Sequence, residues 1–181
     1  MKLLSDLSEE ADQRLFKIHQ LVQEHFARKT DMGVVDLTKH GYHVHSDESV
    51  TFAYDVKLVK NHKSGALPVK VKAAKSIEMN SRGIISLKNC PETMTGMLDC
   101  GHNTFLHKLE GSPSKVGSFH CTQTSISDLV GGPKEVEDFM NVTGNPYLRS
   151  LEGLPERMEE FSIDLRVGLP LLRLPLVKDL R

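Results

Sequence analysis

Residues 109–121 read Leu-Glu-Gly-Ser-Pro-Ser-Lys-Val-Gly-Ser-Phe-His-Cys, and residues 151–163 read Leu-Glu-Gly-Leu-Pro-Glu-Arg-Met-Glu-Glu-Phe-Ser-Ile. Both open on Leu-Glu-Gly-x-Pro and arrive at an apolar-x-apolar pair. Working outward, the Leu-x-x-x-Pro phrase recurs from Leu87 to Pro91 and from Leu129 to Pro133, while Pro68 follows Leu67 directly. Pro68, Pro91, Pro113, Pro133 and Pro155 are spaced by 23, 22, 20 and 22 residues. A stricter register runs through Val56, Ile77, Leu98, Phe119, Met140 and Phe161, each 21 residues after the last, and through Leu58, Met79, Cys100, Cys121, Val142 and Ile163 two positions later. All twelve are apolar.

Two apolar residues separated by one share a face of a strand. A turn that returns to register every 21 residues stacks those strands side by side, in parallel, about 4.8 Å apart. One turn cannot bury its own apolar face, whereas stacked turns share one core. Proline lacks an N–H and therefore belongs on the return arm, outside the ladder. A third column is expected at Ile85, Leu106, Ser127, Leu148 and Leu169, with Ile126 filling the slot in the turn that carries Ser127.

The phrases at 109–113 and 151–155, with Phe119-His120-Cys121 between them, resemble a short leucine-rich-repeat-like unit of tailed-bacteriophage proteins, an uncharacterised family. There the phrase is followed by a Phe-x-Cys strand and an Asn turn, matched here by Asn103 and Asn145. The pattern is also similar to the short leucine-rich repeats of secreted bacterial effector ubiquitin ligases, without their ligase domain. The likeness covers residues 48–175. Other turns place Arg82, Thr124 and Arg166 where the Asn belongs, so an interrupted Asn ladder is expected. The resemblance implies an α+β fold: a leucine-rich-repeat-like parallel β-solenoid with an N-terminal amphipathic helical cap.

The 181 residues suit a single domain. It divides into a cap and connector at 1–47, about six repeat turns at 48–175, and a C-terminal cap or tail at 176–181. A solenoid needs its ends covered. Asp6 and Glu9 fit a capping box, and Ala11, Leu15, Ile18, Val22 and Phe26 form a helical apolar stripe, which predicts a helix over 7–28. Gly33-Val34-Val35-Asp36-Leu37 and Tyr42-His43-Val44 are expected to join cap to stack as one or two strands. Leu169 and Leu172 keep the register for a last partial turn, Pro170 and Pro175 argue against a regular strand there, and the closing Leu-Val-Lys-Asp-Leu is a short cap candidate.

The formal net charge is -1, with no large basic or acidic block, so charge does not favour nucleic acid or an anionic membrane as partner. No apolar run spans a bilayer, and the polar start argues against a signal peptide. Three cysteines read as free thiols.

Residues between the buried strand positions face outward, toward the concave side in a leucine-rich repeat. One such column is Lys57, Glu78, Asp99, His120, Asn141 and Ser162; the column before it is Asp55, Ser76, Met97, Ser118, Phe139 and Glu160. Met97 and Phe139 are large and apolar among polar neighbours, the pattern of a protein-binding hot spot. The alternative is a local shift that turns Phe139 inward and Met140 outward, since Val136 to Phe139 repeats the spacing of Val116 to Phe119. The expected partner-binding set is Met97, Asp99, His120, Phe139 and Asn141.

Catalytic and metal chemistry find little support. His40, His43 and His45, near Asp47, would hold zinc or be ordinary surface histidines; no Cys pair or H-E-x-x-H phrase accompanies them, so no metal is assigned. Cys100 and Cys121 occupy a core column that Met79 and Val142 fill elsewhere, which favours packing over nucleophilic or disulfide roles. Phosphate loops and dinucleotide fingerprints are absent, and no cofactor is implied.

The expectation is a non-enzymatic protein-binding module. By the resemblance, it is a bacteriophage accessory protein in the host cytoplasm that binds and inhibits a host protein, a defence component included; the alternative is a structural or assembly part of a phage particle. A monomer is expected, with a dimer through an exposed terminal strand as the other possibility.

Overall fold

A computed structural model describes residues 4–30, 32–36, 41–164 and 176–180. Helix α1 (Leu4–His25) is followed by β1 (Phe26–Thr30), β2 (Gly33–Asp36), β3 (Tyr42–Val44), β4 (Val50–Phe52), β5 (Val56–Leu58), β6 (Val71–Ala73), β7 (Ile77–Glu78), β8 (Met97–Asp99), β9 (Lys115–Val116), β10 (Ser118–His120), β11 (Glu135–Val136), β12 (Phe139–Asn141), β13 (Arg157–Ser162) and β14 (Leu176–Leu180). Strands β5, β7, β8, β10, β12 and β13 lie side by side in parallel, making a β-solenoid of about five turns among the described residues, where six were expected. The register calculated from 21-residue spacing is the observed one: Val56 pairs with Ile77, Ile77 with Leu98, Leu98 with Phe119, Phe119 with Met140, and Met140 with Phe161. All twelve strand-column residues are buried, none more than 5% exposed.

Each Leu-x-x-x-Pro phrase closes a tight turn. The amides of Cys90, Ser112, Gly132 and Leu154 donate to the carbonyls of Leu87, Leu109, Leu129 and Leu151. The third turn residue is left-handed each time: Asn89, Gly111, Gly131 and Gly153, at φ 76, 93, 81 and 88°. That is type II geometry, which favours Gly or Asn. At Gly153 a Cβ would also stand 2.3 Å from the Leu129 carbonyl oxygen, so the preceding turn excludes any side chain.

The third column differs from expectation. Ile84, Leu106, Ile126 and Leu148 fill it, none above 3% exposed, while Ile85 is 52% exposed. The cause is a two-turn alternation. Leu106 and Leu148 stand three residues after Asn103 and Asn145, whereas Ile84 and Ile126 stand two after Arg82 and Thr124. The longer loops are compensated before the next strand. Val116 and Phe119 are separated by two residues, Val136 and Met140 by three, and the extra residue at Glu137-Asp138 is taken up in the corner between β11 and β12. The 21-residue strand register therefore survives loops of unequal length.

The Asn ladder is interrupted, as expected, and each Asn ties a pair of turns together. Asn103 Nδ2 donates to the carbonyls of Met79, Cys100 and Gly101, and its Oδ1 accepts from the amides of Arg82 and Ile84 in the preceding turn. Asn145 donates to Cys121 and Val142 and accepts from the Thr124 amide and hydroxyl. One carboxamide thus serves two turns, which is why alternate turns manage with Arg82 or Thr124.

At the N-terminal end the helix begins earlier and ends earlier than 7–28. Asp6 and Glu9 fall inside its first turns, where acidic residues still suit the macrodipole, and do not flank its start. The His25 ring donates from Nδ1 to the Leu21 carbonyl at 3.1 Å, and Phe26 leaves the helix to begin β1. The strand wins because β5 otherwise presents an open edge: β1 pairs antiparallel with β5 and β2 antiparallel with β1. Ile18 and Val22 are buried against the stack, but Ala11 and Leu15 of the expected stripe are exposed. The connector strands are β2 and β3, as expected. Leu169, Leu172 and Arg166 lie outside the described residues, and the closing Leu-Val-Lys-Asp-Leu forms β14, parallel to β13.

Candidate functional site

The outward face of β8, β10 and β12 is set by the inward one. Leu98, Phe119 and Met140 are fully buried, so the residues on either side must point away from the core. The five residues singled out from sequence, Met97, Asp99, His120, Phe139 and Asn141, are all brought onto this face, each half-buried. Phe139 pairs with Glu160 and Met140 with Phe161, which excludes the inward shift of Phe139. The corner residue at Glu137-Asp138 explains the misleading spacing: it absorbs the offset that would have rotated the strand.

Within the face, the His120 ring meets Phe139 edge-on, with centroids 5.4 Å apart and planes at 85°. This is a favourable aromatic geometry. Burial lowers the His120 pKa below its ordinary value, and Asp99 opposes the shift. Asp99 itself accepts from Asn80 Nδ2 at 2.8 Å and from the Gly101 amide at 3.0 Å. Asn141 Oδ1 accepts from the Thr143 amide and hydroxyl. Ser118 lies between Met97 and Phe139 on the middle strand, two strand spacings or about 9.6 Å separating the two large side chains. The result is a saddle: two apolar posts, a small residue between them and an aromatic wall beside one post. The neighbouring column begins with Lys57, which pairs with Glu78, as does Lys29 at 2.5 Å; burial is the largest single effect on the Glu78 carboxyl and raises its pKa, but the hydrogen bonds and charges of the two lysines together outweigh it and hold the pKa below its ordinary value.

The histidine group does not assemble into a metal site among the described residues, where no set of three or more His, Cys, Asp or Glu converges. His43 and His45 do share one side of the chain, rings edge-on at 4.7 Å. His45 Nε2 is 2.8 Å from the Thr51 hydroxyl, and Asp47 accepts from the Ser49 amide and hydroxyl. His40 lies outside the described residues.

The three cysteines are free. Burial pushes the Cys90 thiol up to about 12. The Cys100 thiol, hydrogen-bonded with Cys121 and buried, is held well above the ordinary range. Thiols so shifted are poor nucleophiles.

The structure adds a feature that sequence reading missed. On the loop side a shallow groove of about 510 Å³ is lined by His107, Ser125, Asp128, Val130 and Tyr147, among others. Tyr147 and Phe105 are 59% and 68% exposed and occupy the extra loop position of the two Asn turns. The signal was the alternation in loop length, visible only once the true third column is known. No helix among the described residues is long and apolar enough to cross a membrane. Comparison with protein-family models, with curated proteins and with solved structures gives no match for this chain.

Proposed function

We propose that this chain is a leucine-rich-repeat-like protein-binding module that docks a partner on the outward face of β8, β10 and β12. The observation that carries this reading is the presence of Met97 and Phe139, partly exposed, in one outward column whose other members are polar or small, with the His120 ring of the neighbouring column against Phe139. Apolar anchors within a polar rim are how a few residues come to dominate an interface. The repeating Asn, Leu-x-x-x-Pro and strand columns support the finer assignment to leucine-rich repeats. A host protein as partner, a host-cytoplasmic setting and a bacteriophage origin rest on the resemblance alone, as does the alternative of a particle component.

The test is a pair of variants. Phe139→Asp alters only the outer face and leaves the far-ultraviolet circular dichroism and unfolding midpoint near wild type. Met140→Ala, one residue on, costs about 2–5 kcal/mol as a core truncation. Immobilised wild type is expected to retain a specific protein from a host lysate that Phe139→Asp, still folded, does not. Equal retention by both, or unfolding of Phe139→Asp, refutes the proposal.

A further inference from the structure

The column that carries the saddle begins with an acid. Asp55, Met97 and Phe139 follow one another at equal steps of two turns, about 9.6 Å each, with Ser76 and Ser118 as notches between them. Beside Met97 a cleft of about 180 Å³ opens between Asp55, Ser76, Glu78 and Met97, and Lys29 and Thr30 of β1 also line it. Asp55 Oδ1 is shut from solvent and has no hydrogen-bond partner. A carboxylate oxygen so placed has lost its water without a replacement from the fold. The Thr30 hydroxyl is turned to the Gly33 carbonyl at 2.9 Å. The nearby cations are engaged elsewhere. Lys29 and Lys57 both bridge Glu78, and the Arg28 guanidinium lies 3.8 Å over the Tyr54 ring. Lys75, exposed on the adjoining corner, forms no ion pair with Asp55 either.

The same imbalance runs along the face. Its two outward columns hold four carboxylates, Asp55, Glu78, Asp99 and Glu160, against one basic side chain, Lys57. Lys57 and Lys29 neutralise Glu78, whereas Asp99 is met by neutral donors, Asn80 and the Gly101 amide. The flanking corners do not make up the difference. One carries Lys75 with Asp138 and Glu159, and on the other Lys60 bridges Glu24. We infer that the partner on this face is a basic amphipathic helix lying along the stack, with an Arg or Lys in the cleft against Asp55 and apolar residues on Met97 and Phe139. This deepens the reading of the saddle and rests on it. Charge complementarity calls for the basic residue, and spacing calls for the helix. Helical residues seven apart share a face and stand about 10.5 Å apart, close to the roughly 9.6 Å step between Asp55, Met97 and Phe139. Residues one turn on, at about 5.4 Å, fall over the Ser76 and Ser118 notches. An extended strand returns to one face every ~6.8 Å and misses the posts. The aliphatic stem of the basic residue lies along Met97 while its charged end reaches the carboxyl. A half-turn about χ2 exchanges the two Asp55 oxygens, so either can meet the cation.

The probe is a fluorescein-labelled, alanine-rich helical peptide of about 20 residues with Arg, Leu and Leu at positions i, i+7 and i+14. It is made in both sequence directions, since a helix can lie either way along the stack. Glu replaces Arg in a second peptide, and a third moves Arg to the opposite helix face. Fluorescence anisotropy in ~50 mM salt is expected to show the first bound at least about tenfold more tightly than the other two. Asp55→Asn, unchanged by circular dichroism, removes most of that preference, and Phe139→Ala weakens the Arg and Glu peptides alike. Equal binding of the Arg and Glu peptides, lost in Phe139→Ala, overturns the basic helix and leaves the saddle standing. Binding indifferent to Phe139→Ala overturns the saddle and this inference with it. Equal binding of the two Arg peptides, no binding of any peptide by wild type, or an undiminished preference in Asp55→Asn also overturns the inference. Should Asp55→Asn fail to fold, the three peptides against wild type decide it.

Discussion

Replacing Asn103 with Ala removes one buried carboxamide and disturbs two turns at once. Asn103 is 1% exposed. Its Oδ1 is the acceptor for the Arg82 and Ile84 amides at 2.9 and 3.0 Å, and its Nδ2 donates to three carbonyls at 2.9 to 3.1 Å. The two amides have no way to follow the missing oxygen without unstacking the loop. A buried group left without a partner costs about 1–3 kcal/mol, so the two amides alone predict about 2–6 kcal/mol, with water entry at the loop bringing the figure toward 3–4. Thr124→Val is the control: it removes one hydroxyl donor to Asn145 while the Thr124 amide keeps its bond, and about 1 kcal/mol is expected. Urea unfolding followed by circular dichroism gives both numbers, since the chain has no Trp to report by fluorescence. Native-state hydrogen exchange then locates the damage, which should fall on the Arg82 and Ile84 amides first. A loss below about 1 kcal/mol, or undiminished protection of those two amides, would refute the idea that alternate asparagines hold neighbouring turns together.

Other expectations follow from the same geometry. Gly153→Ala forces a Cβ against the Leu129 carbonyl at φ 88° and should cost upwards of about 1–2 kcal/mol by thermal or urea unfolding, whereas Glu152→Ala beside it should cost little. Neither Cys90 nor Cys100 should react with a disulfide reagent at pH ~8 until the chain unfolds, because burial holds Cys90 near 12, while the neighbouring Cys121 thiol and burial hold Cys100 well above its ordinary value; rapid native labelling of Cys90 would contradict this. Burial lowers the His120 pKa, so the unfolded chain binds that proton more readily. Stability contributed by neutral His120 is therefore present above the unfolded value of about 6.5 and is lost as pH falls from there toward the folded value. A His120→Gln variant should show a flatter unfolding midpoint between pH ~7 and ~5 than wild type.

The parts of the fold legible in sequence are those that repetition enforces. A residue such as Leu98 sits between Ile77 and Phe119, so any departure from apolar character there damages two interfaces, and the pattern persists through all six strands. The third column was read correctly at Ile126 in place of Ser127 but misread at Ile85, because a loop only has to deliver one apolar side chain inward. Ile84 and Ile126 do so from a shorter loop, and a fixed 21-residue ruler cannot see the change. The helix boundary was missed for a different reason. Phe26 fits the helical stripe and the strand equally well, and the open edge of β5, a tertiary feature, decided between them. On the outer face, the location of Met97, His120 and Phe139 was legible from alternation, but their mutual contact was not. The His120–Phe139 ring pair joins residues in adjacent turns, 19 apart in sequence, and depends on the corner at Glu137-Asp138.

In a solenoid the core is written by the period, and specific behaviour is written by departures from it. Outward positions vary among polar residues, as Lys57, Glu78, Asp99, Asn141 and Ser162 do in one column. One kind of departure stands out here. On the main strands, apolar Met97 and Phe139 replace the polar residues found in Asp55, Ser76 and Glu160. Stacking does not require it: the inward column beside them is satisfied by Leu98 and Met140. A large apolar side chain left half in water forgoes part of the gain of burial. Two of them in one otherwise polar or small column are better explained by a partner that covers both than by the stack itself.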